Sequence, residues 1–111
     1  VDDIEQVCPK FHAAIELIGK RWTGAIISVL MDGPRRFCEL QEAVPGLHDR
    51  LLSERLKELE AEDIVARRVY PETPVRIAYE LTAKGRDLER VVAEVQRWAN
   101  RWVSVHAAAR K

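Results

Sequence analysis

The stretch that decides the fold is Leu51-Leu52-Ser53-Glu54-Arg55-Leu56-Lys57-Glu58-Leu59-Glu60-Ala61-Glu62, followed at once by Ile64–Tyr70, Pro71-Glu72-Thr73-Pro74 and Arg76–Leu81. In the first run, leucines recur at spacings of three and four, the period of a helix with one buried face. In the two later runs the residues alternate instead. Val65, Arg67 and Val69 fall on one side and Ala66, Arg68 and Tyr70 on the other. On the return run Ile77, Tyr79 and Leu81 share one face, and Arg76, Ala78 and Glu80 share the other. The proline-rich tetrapeptide between them reads as a turn. A helix followed directly by a β-hairpin is the layout of a winged helix, in which the helix reads a DNA groove and the hairpin braces the backbone beside it.

The flanking segments fit that layout. Pro9 suits a first helical turn. Phe11, Ala14, Ile15 and Ile18 then form one apolar stripe that Gly19 ends. Trp22 to Met31 reads as a second helix with Ala25, Ile26, Val29 and Leu30 inward, Thr23 as its candidate cap and Gly33-Pro34 as its stop. Arg35-Arg36-Phe37 is extended, a candidate third strand beside the hairpin. Cys38 to Val44 reads as a brief helix with Leu40 and Val44 inward, and Pro45-Gly46 turns the chain into the helix at about 49–62. Beyond the hairpin (about 64–81), Thr82 is a candidate cap for a long helix at about 83–104. Leu88, Val91, Val92, Val95, Trp98, Ala99, Trp102 and Val103 keep a helical period along it. So small a body cannot cover so long a stripe, so part of it is expected to meet another subunit. The expected fold class is α+β, mostly α: a winged helix-turn-helix with N- and C-terminal dimerisation helices.

Composition narrows the function. A chain of 111 residues is expected to form one domain, and 47% hydrophobic with 32% charged residues marks a folded protein. No apolar run is long enough to span a bilayer. The start, Val1-Asp2-Asp3-Ile4-Glu5, lacks the basic-then-apolar layout of a secretion signal, so the expected location is the cytoplasm, with no membrane partner. The formal net charge is +0, with 18 basic and 18 acidic residues. That balance argues against indiscriminate polyanion binding and leaves DNA binding to the placement of the cations. Two cysteines are too few for a disulfide scaffold. No glycine-rich phosphate loop, serine nucleophile motif or apolar carboxylate pair is visible, so neither an enzyme nor a cofactor is expected. Glu54, Glu58, Glu60 and Glu62 are expected on a solvated helix face.

On a helical wheel, Leu52, Leu56 and Leu59 point inward, and Arg50, Ser53, Glu54 and Lys57 point out. Arginine there can pair with guanine, while lysine and serine suit phosphates or base edges. Arg67, Arg68 and Arg76 cluster around the hairpin tip, where backbone phosphates are attracted irrespective of sequence. A solvated helix face and a charge-protected edge hairpin are the bland alternatives.

The chain resembles the HxlR-type family of bacterial winged-helix transcriptional regulators, relatives of the MarR group. The resemblance rests on Cys8-Pro9, Ile18-Gly19-Lys20-Arg21-Trp22-Thr23, Gly33-Pro34-Arg35-Arg36-Phe37 with Leu40, and Pro45-Gly46-Leu47. It continues through Leu51 to Glu60, Val69-Tyr70-Pro71-Glu72, Pro74-Val75-Arg76 and Tyr79-Glu80-Leu81-Thr82-Ala83-Lys84-Gly85, and closes on Trp98-Ala99 and Trp102. Two departures stand out: His48 replaces a small polar capping residue, and Lys20-Arg21 follows Gly19 where members often have two glycines.

The resemblance implies a homodimer on a palindromic operator in double-stranded DNA, acting as a repressor that a small-molecule or thiol-reactive signal releases. Expected DNA contacts are Arg36, Arg50, Ser53, Glu54, Lys57, Arg68, Thr73 and Arg76. Expected dimer contacts are Ile4, Val7, Phe11, Val91, Val95, Trp98 and Trp102. Several relatives sense oxidants or electrophiles through the cysteine matching Cys8, and a helix N-terminus favours thiolate. The alternative for Cys8 is a small residue packing or capping at the dimer interface. Cys38 is expected as a helix-start residue, with an intersubunit Cys8–Cys38 bond left open. Cys8 and His12 resemble half a metal site, but His48 and His106 fall in unrelated segments, so no metal is expected and His12 is expected to be partly buried. Trp22, Trp98 and Trp102 line either a ligand pocket or the core and dimer contacts. The rival functions are a protein-interaction module and a ligand-binding protein with little DNA affinity.

Overall fold

The computed structural model describes residues 6–105. Its elements run α1 (Pro9–Ile18), α2 (Thr23–Leu30), α3 (Phe37–Ala43), α4 (Asp49–Ala61), β1 (Val65–Tyr70), β2 (Arg76–Leu81), α5 (Ala83–Arg86) and α6 (Glu89–Trp102). The core lies where α2, α3 and α4 meet the base of the hairpin. Ile26, Ile27 and Leu30 from α2, Leu40 from α3, and Leu52, Leu56 and Leu59 from α4 close on Ile64, Val65 and Leu81. Ile27 joins the fully buried set, whereas Ala25 and Val29 only pack against it.

The connection from α4 to β1 is a Schellman-type reversal. Asp63 adopts φ 61°, and the amides of Asp63 and Ile64 donate to the carbonyls of Glu60 and Leu59 at 2.9 Å each. An aspartate tolerates that left-handed conformation better than most residues. The reversal delivers Ile64 into the core and starts β1. The strands pair antiparallel from Val65↔Leu81 to Tyr70↔Arg76. Burial does not follow the expected alternation: Ala78 is buried and Val69 is exposed, because the core meets only part of the hairpin. Arg35 joins β2 through a two-bond bridge to Tyr79, with N···O distances of 2.9 and 2.7 Å. The expected third strand is thus a single bridge, because Arg36 already caps the helix that follows.

Thr82 caps α5, its hydroxyl accepting from the Gly85 amide at 3.0 Å and donating to the Asp63 carbonyl at 2.6 Å. A Cβ at Gly85 would lie 2.2 Å from the Ile64 carbonyl oxygen, so this close crossing needs glycine. The expected single C-terminal helix is instead two, α5 and α6. Leu88 precedes α6 and donates its amide to the Gly85 carbonyl at 3.0 Å. The apolar period runs through the break because Leu88 and Val92 both dock on the core.

Trp22 is the other correction. It lies before α2 at φ 79°, and Thr23 is buried within the first turn and supplies no side-chain cap. The Arg21 guanidinium lies over the Trp22 ring at 4.7 Å, and the buried indole Nε1–H has no hydrogen-bond partner among the described residues. The ring also closes on Gly46, which holds φ 90° and whose Cβ would meet it at 3.4 Å.

Candidate nucleic-acid interface and helical seam

Helix α4 carries three stripes. Its leucines face the core. Arg50, Glu54 and Lys57 face solvent, with Ser53 half-buried at their edge. Arg50 stands 94% exposed and only 3.7 Å from Glu54, while no described residue forms an ion pair with Lys57. The start of α4 is tied to α3 by the Gln41 amide, which donates to the Asp49 carboxylate. His48 takes the cap position with extended backbone but makes no side-chain cap bond.

The third stripe was not visible as a unit in the sequence. Arg55, with a side chain 12% exposed, donates through Nε to the Arg21 carbonyl at 2.9 Å and through Nη1 to Glu58. Lys20 donates to Oε2 of the same carboxylate at 2.9 Å, the oxygen that Arg55 Nη1 also reaches at 3.3 Å. The Lys20 hydrogen bond, helped by Arg55 and opposed by burial, holds Glu58 below the ordinary carboxylate range. Glu58 is therefore a link between the α1–α2 junction and α4, not the solvated charge expected. The Arg55–Glu58 spacing of three hinted at a pair; Lys20, 38 residues away, left no local signal.

On the hairpin, two of the expected phosphate ligands already have partners. Arg68 Nε meets Glu80 at 2.8 Å. Arg76 forks onto Glu72 and lies over the Tyr70 ring at 4.0 Å. The Arg76 hydrogen bond keeps Glu72 below the usual carboxylate range, with a smaller contribution from Arg36. Arg67 and Thr73 are exposed, as is Arg36, whose backbone N–H donates to Glu39 at 2.8 Å. Arg67 forms no ion pair with any described residue.

Helices α1 and α6 leave apolar residues open to solvent. Val7, Phe11 and Ile15 on or beside α1, and Val91, Val95, Trp98 and Trp102 on α6, are all exposed. Ile4 lies outside the described residues. Between α1, α2 and α6 runs an apolar groove of about 490 Å³, lined by Ile15, Ile18, Ala25, Val91, Val92 and Val95. At its edge, Gln96 donates to the Ser28 hydroxyl at 2.8 Å. None of the three tryptophans lines this groove. Trp22 packs on the core, and Trp98 and Trp102 stand outside it.

Cys8 sits at the cap position of α1, directly before Pro9, and is exposed; Cys38 is the exposed second residue of α3. Both are free thiols. His12 is exposed rather than partly buried, 3.4 Å from Glu16 one turn on. No group of three His, Cys, Asp or Glu among the described residues could hold a metal. Among the same residues, no helix is long and apolar enough to cross a membrane.

A helix-turn-helix pair, α3 and α4, followed by a two-stranded hairpin defines the class: a winged-helix protein built to meet DNA. The chain belongs to the HxlR-like helix-turn-helix family, whose model matches residues 17–107. It is 53% identical over 96 residues to the HTH-type transcriptional regulator YodB of Bacillus subtilis (strain 168), covering 86% of each. The solved structure of reduced YodB superposes with a TM-score of 0.79 at 52% identity, over 89% of this chain and 97% of that one. The quinone-bound form of YodB superposes at 0.74 with 48% identity, over 86% and 100%. The redox regulator HypR in its oxidised form superposes at 0.82 with 35% identity, over 87% and 99%. The chain is accordingly a transcriptional regulator of the helix-turn-helix type.

Proposed function

We propose that two copies of this chain pair through α1 and α6 and repress transcription by occupying a palindromic operator in the cytoplasm. The two copies of α4 enter successive major grooves about one helical turn apart. Arg50, Ser53, Glu54 and Lys57 face base edges and flanking phosphates. Arg36, Arg68, Thr73 and Arg76 face the backbone beside the groove. The observation that carries this reading is the pairing of exposed hydrogen-bonding heads on α4 and the hairpin with exposed Phe11, Trp98 and Trp102 on α1 and α6. An overall charge of +0 is compatible with it, because the placement of the cations rather than their sum decides DNA binding.

The signal we assign is thiol-directed. Cys8 is exposed at the start of α1, within the helix that the dimer would bury. YodB is known in quinone-bound form and HypR in an oxidised form, so a quinone or oxidant acting at Cys8 is the chemistry these relatives support. Modification there would shift α1 against its partner and misalign the two α4 helices.

The test is a mobility-shift titration against DNA from upstream of the protein's own gene, with and without diamide. Arg50→Ala and Lys57→Ala are each expected to weaken binding by about 1–3 kcal/mol. Unchanged affinity in both removes α4 as the reader. Cys8→Ser is expected to abolish the diamide response, and a response equal to the parent's dismisses Cys8 as the sensor. A reversible apolar effector is the second reading, favoured by the groove of about 490 Å³, a size usual for ligand pockets. A retained ligand in native mass spectrometry would support it.

A further inference from the structure

An anion already sits where the DNA reading needs a phosphate. Arg76 presents its Nε and Nη2 to the two oxygens of Glu72, at 3.4 and 3.0 Å. Two parallel N–H donors on two oxygens is also how arginine grips a phosphate. Arg76 has a second support: its cross-strand neighbour Tyr70, over whose ring the guanidinium lies at 4.0 Å. The stacking aims the arginine without help from the carboxylate. The side chains of Glu72 and Arg76 are 53% and 39% exposed, so Glu72 can swing into solvent at little cost. Two supports on the hairpin, the Glu72 carboxylate and the Tyr70 ring, thus hold one guanidinium beside the tip.

We propose that Arg76, backed by Tyr70, forms a subsite for a phosphodiester of duplex DNA, and that Glu72 fills it in the free protein as a built-in competitor. The proposal deepens the DNA-binding reading and rests on it. On docking, a backbone phosphate displaces the Glu72 carboxylate from the Arg76 fork, and Tyr70 keeps the guanidinium in place. The competition is the same for every DNA sequence, because a phosphate carries no base information. Glu72 therefore lowers affinity for random DNA and operator alike, and leaves discrimination to α4. Such a device suits a regulator that has to leave nonspecific DNA.

The proposal predicts a gain on removing an acidic residue from a hairpin. Glu72→Gln, Arg76→Ala and the double variant are titrated by fluorescence anisotropy. One probe is a random-sequence duplex and the other is the duplex from upstream of the gene, between about 50 and about 200 mM salt. Glu72→Gln is expected to bind both duplexes about twofold to fivefold tighter. Its plot of log affinity against log salt is expected to steepen by about one per subunit. In the Arg76→Ala background the same substitution is expected to bring no gain.

Unchanged or weaker binding by Glu72→Gln overturns the proposal and makes Glu72 an orienting partner of Arg76. A gain that persists with Arg76 absent also overturns it, since Glu72 then acts only as a diffuse repulsive charge. If neither the parent nor Glu72→Gln binds either duplex, the DNA-binding reading falls, and the competitor role falls with it.

Discussion

Helices α4 and α6 are nearly equal in length, 13 and 14 residues, and both carry a regular apolar stripe. Their fates differ. Leu52, Leu56 and Leu59 of α4 are buried to 1% exposure or less, whereas α6 buries no residue fully and leaves Trp98 and Trp102 at 61% and 64%. Only Leu88, just before α6, and Val92 reach the core. The same amphipathic pattern therefore serves two ends. In α4 it is completed by the helix's own chain. In α6 it is left open, and a surface of that kind needs another molecule to cover it.

The contrast is broken most severely in α4. Leu56→Ala leaves a cavity among Leu52, Leu59 and their neighbours and is expected to cost about 2–5 kcal/mol. Urea unfolding at several protein concentrations measures it, and the loss is expected to persist across them. A loss below about 1 kcal/mol would mean that the core relaxes around the site and that α4 is less tightly specified than its burial implies. Trp98→Ala probes the opposite helix. In the proposed dimer its tryptophan is an anchor, expected to cost about 2–4 kcal/mol of association. Sedimentation should show the variant as monomer at concentrations where the parent is dimer, with helical content kept. A parent that is itself monomeric at micromolar concentration would remove the meaning given to the open stripe.

The sequence revealed what is set locally and concealed what is set by distant meetings. The inward face of α4 follows from periodicity, and Leu52, Leu56 and Leu59 lie where it puts them. Burial in the hairpin departs from strict alternation: Val69 is exposed and Ala78 is buried. Periodicity says that a helix has an apolar face but not who covers it. Val92 and Val95 belong to one stripe, yet the body takes the first and leaves the second exposed. The break before α6 was hidden for the same reason, since Leu88 continues the stripe across it. Trp22 reads as an ordinary helix residue, yet its backbone is left-handed and its ring closes on Gly46. For the candidate DNA face, composition supplied the cations but not their partners. Arg68 and Arg76 count as free charges until strand register and turn geometry bring Glu80 and Glu72 to them.

The smallest expected effect lies at the boundary between the two regions. Lys20 directly follows α1 and its Gly19 cap, and its ammonium holds Glu58 on α4 at 2.9 Å. Glu58 lies below the ordinary glutamate range in the folded protein, chiefly through that hydrogen bond. A carboxylate lowered on folding stabilises the fold above its unfolded value, and the contribution fades as pH falls through the folded value. Lys20→Met keeps the aliphatic stem and removes the charge, so Glu58 moves back toward its ordinary range. Near neutral pH the variant is expected to be less stable by up to about 1 kcal/mol, a small figure because both side chains are more than a third exposed. On acidification below the lowered folded value, parent and variant should converge, since Glu58 is then protonated in both the folded and unfolded states. Urea unfolding across a pH series reads this directly. A gap that stays constant as Glu58 protonates would mean that the Lys20 stem, not the ion pair, ties the open helical layer to the closed core.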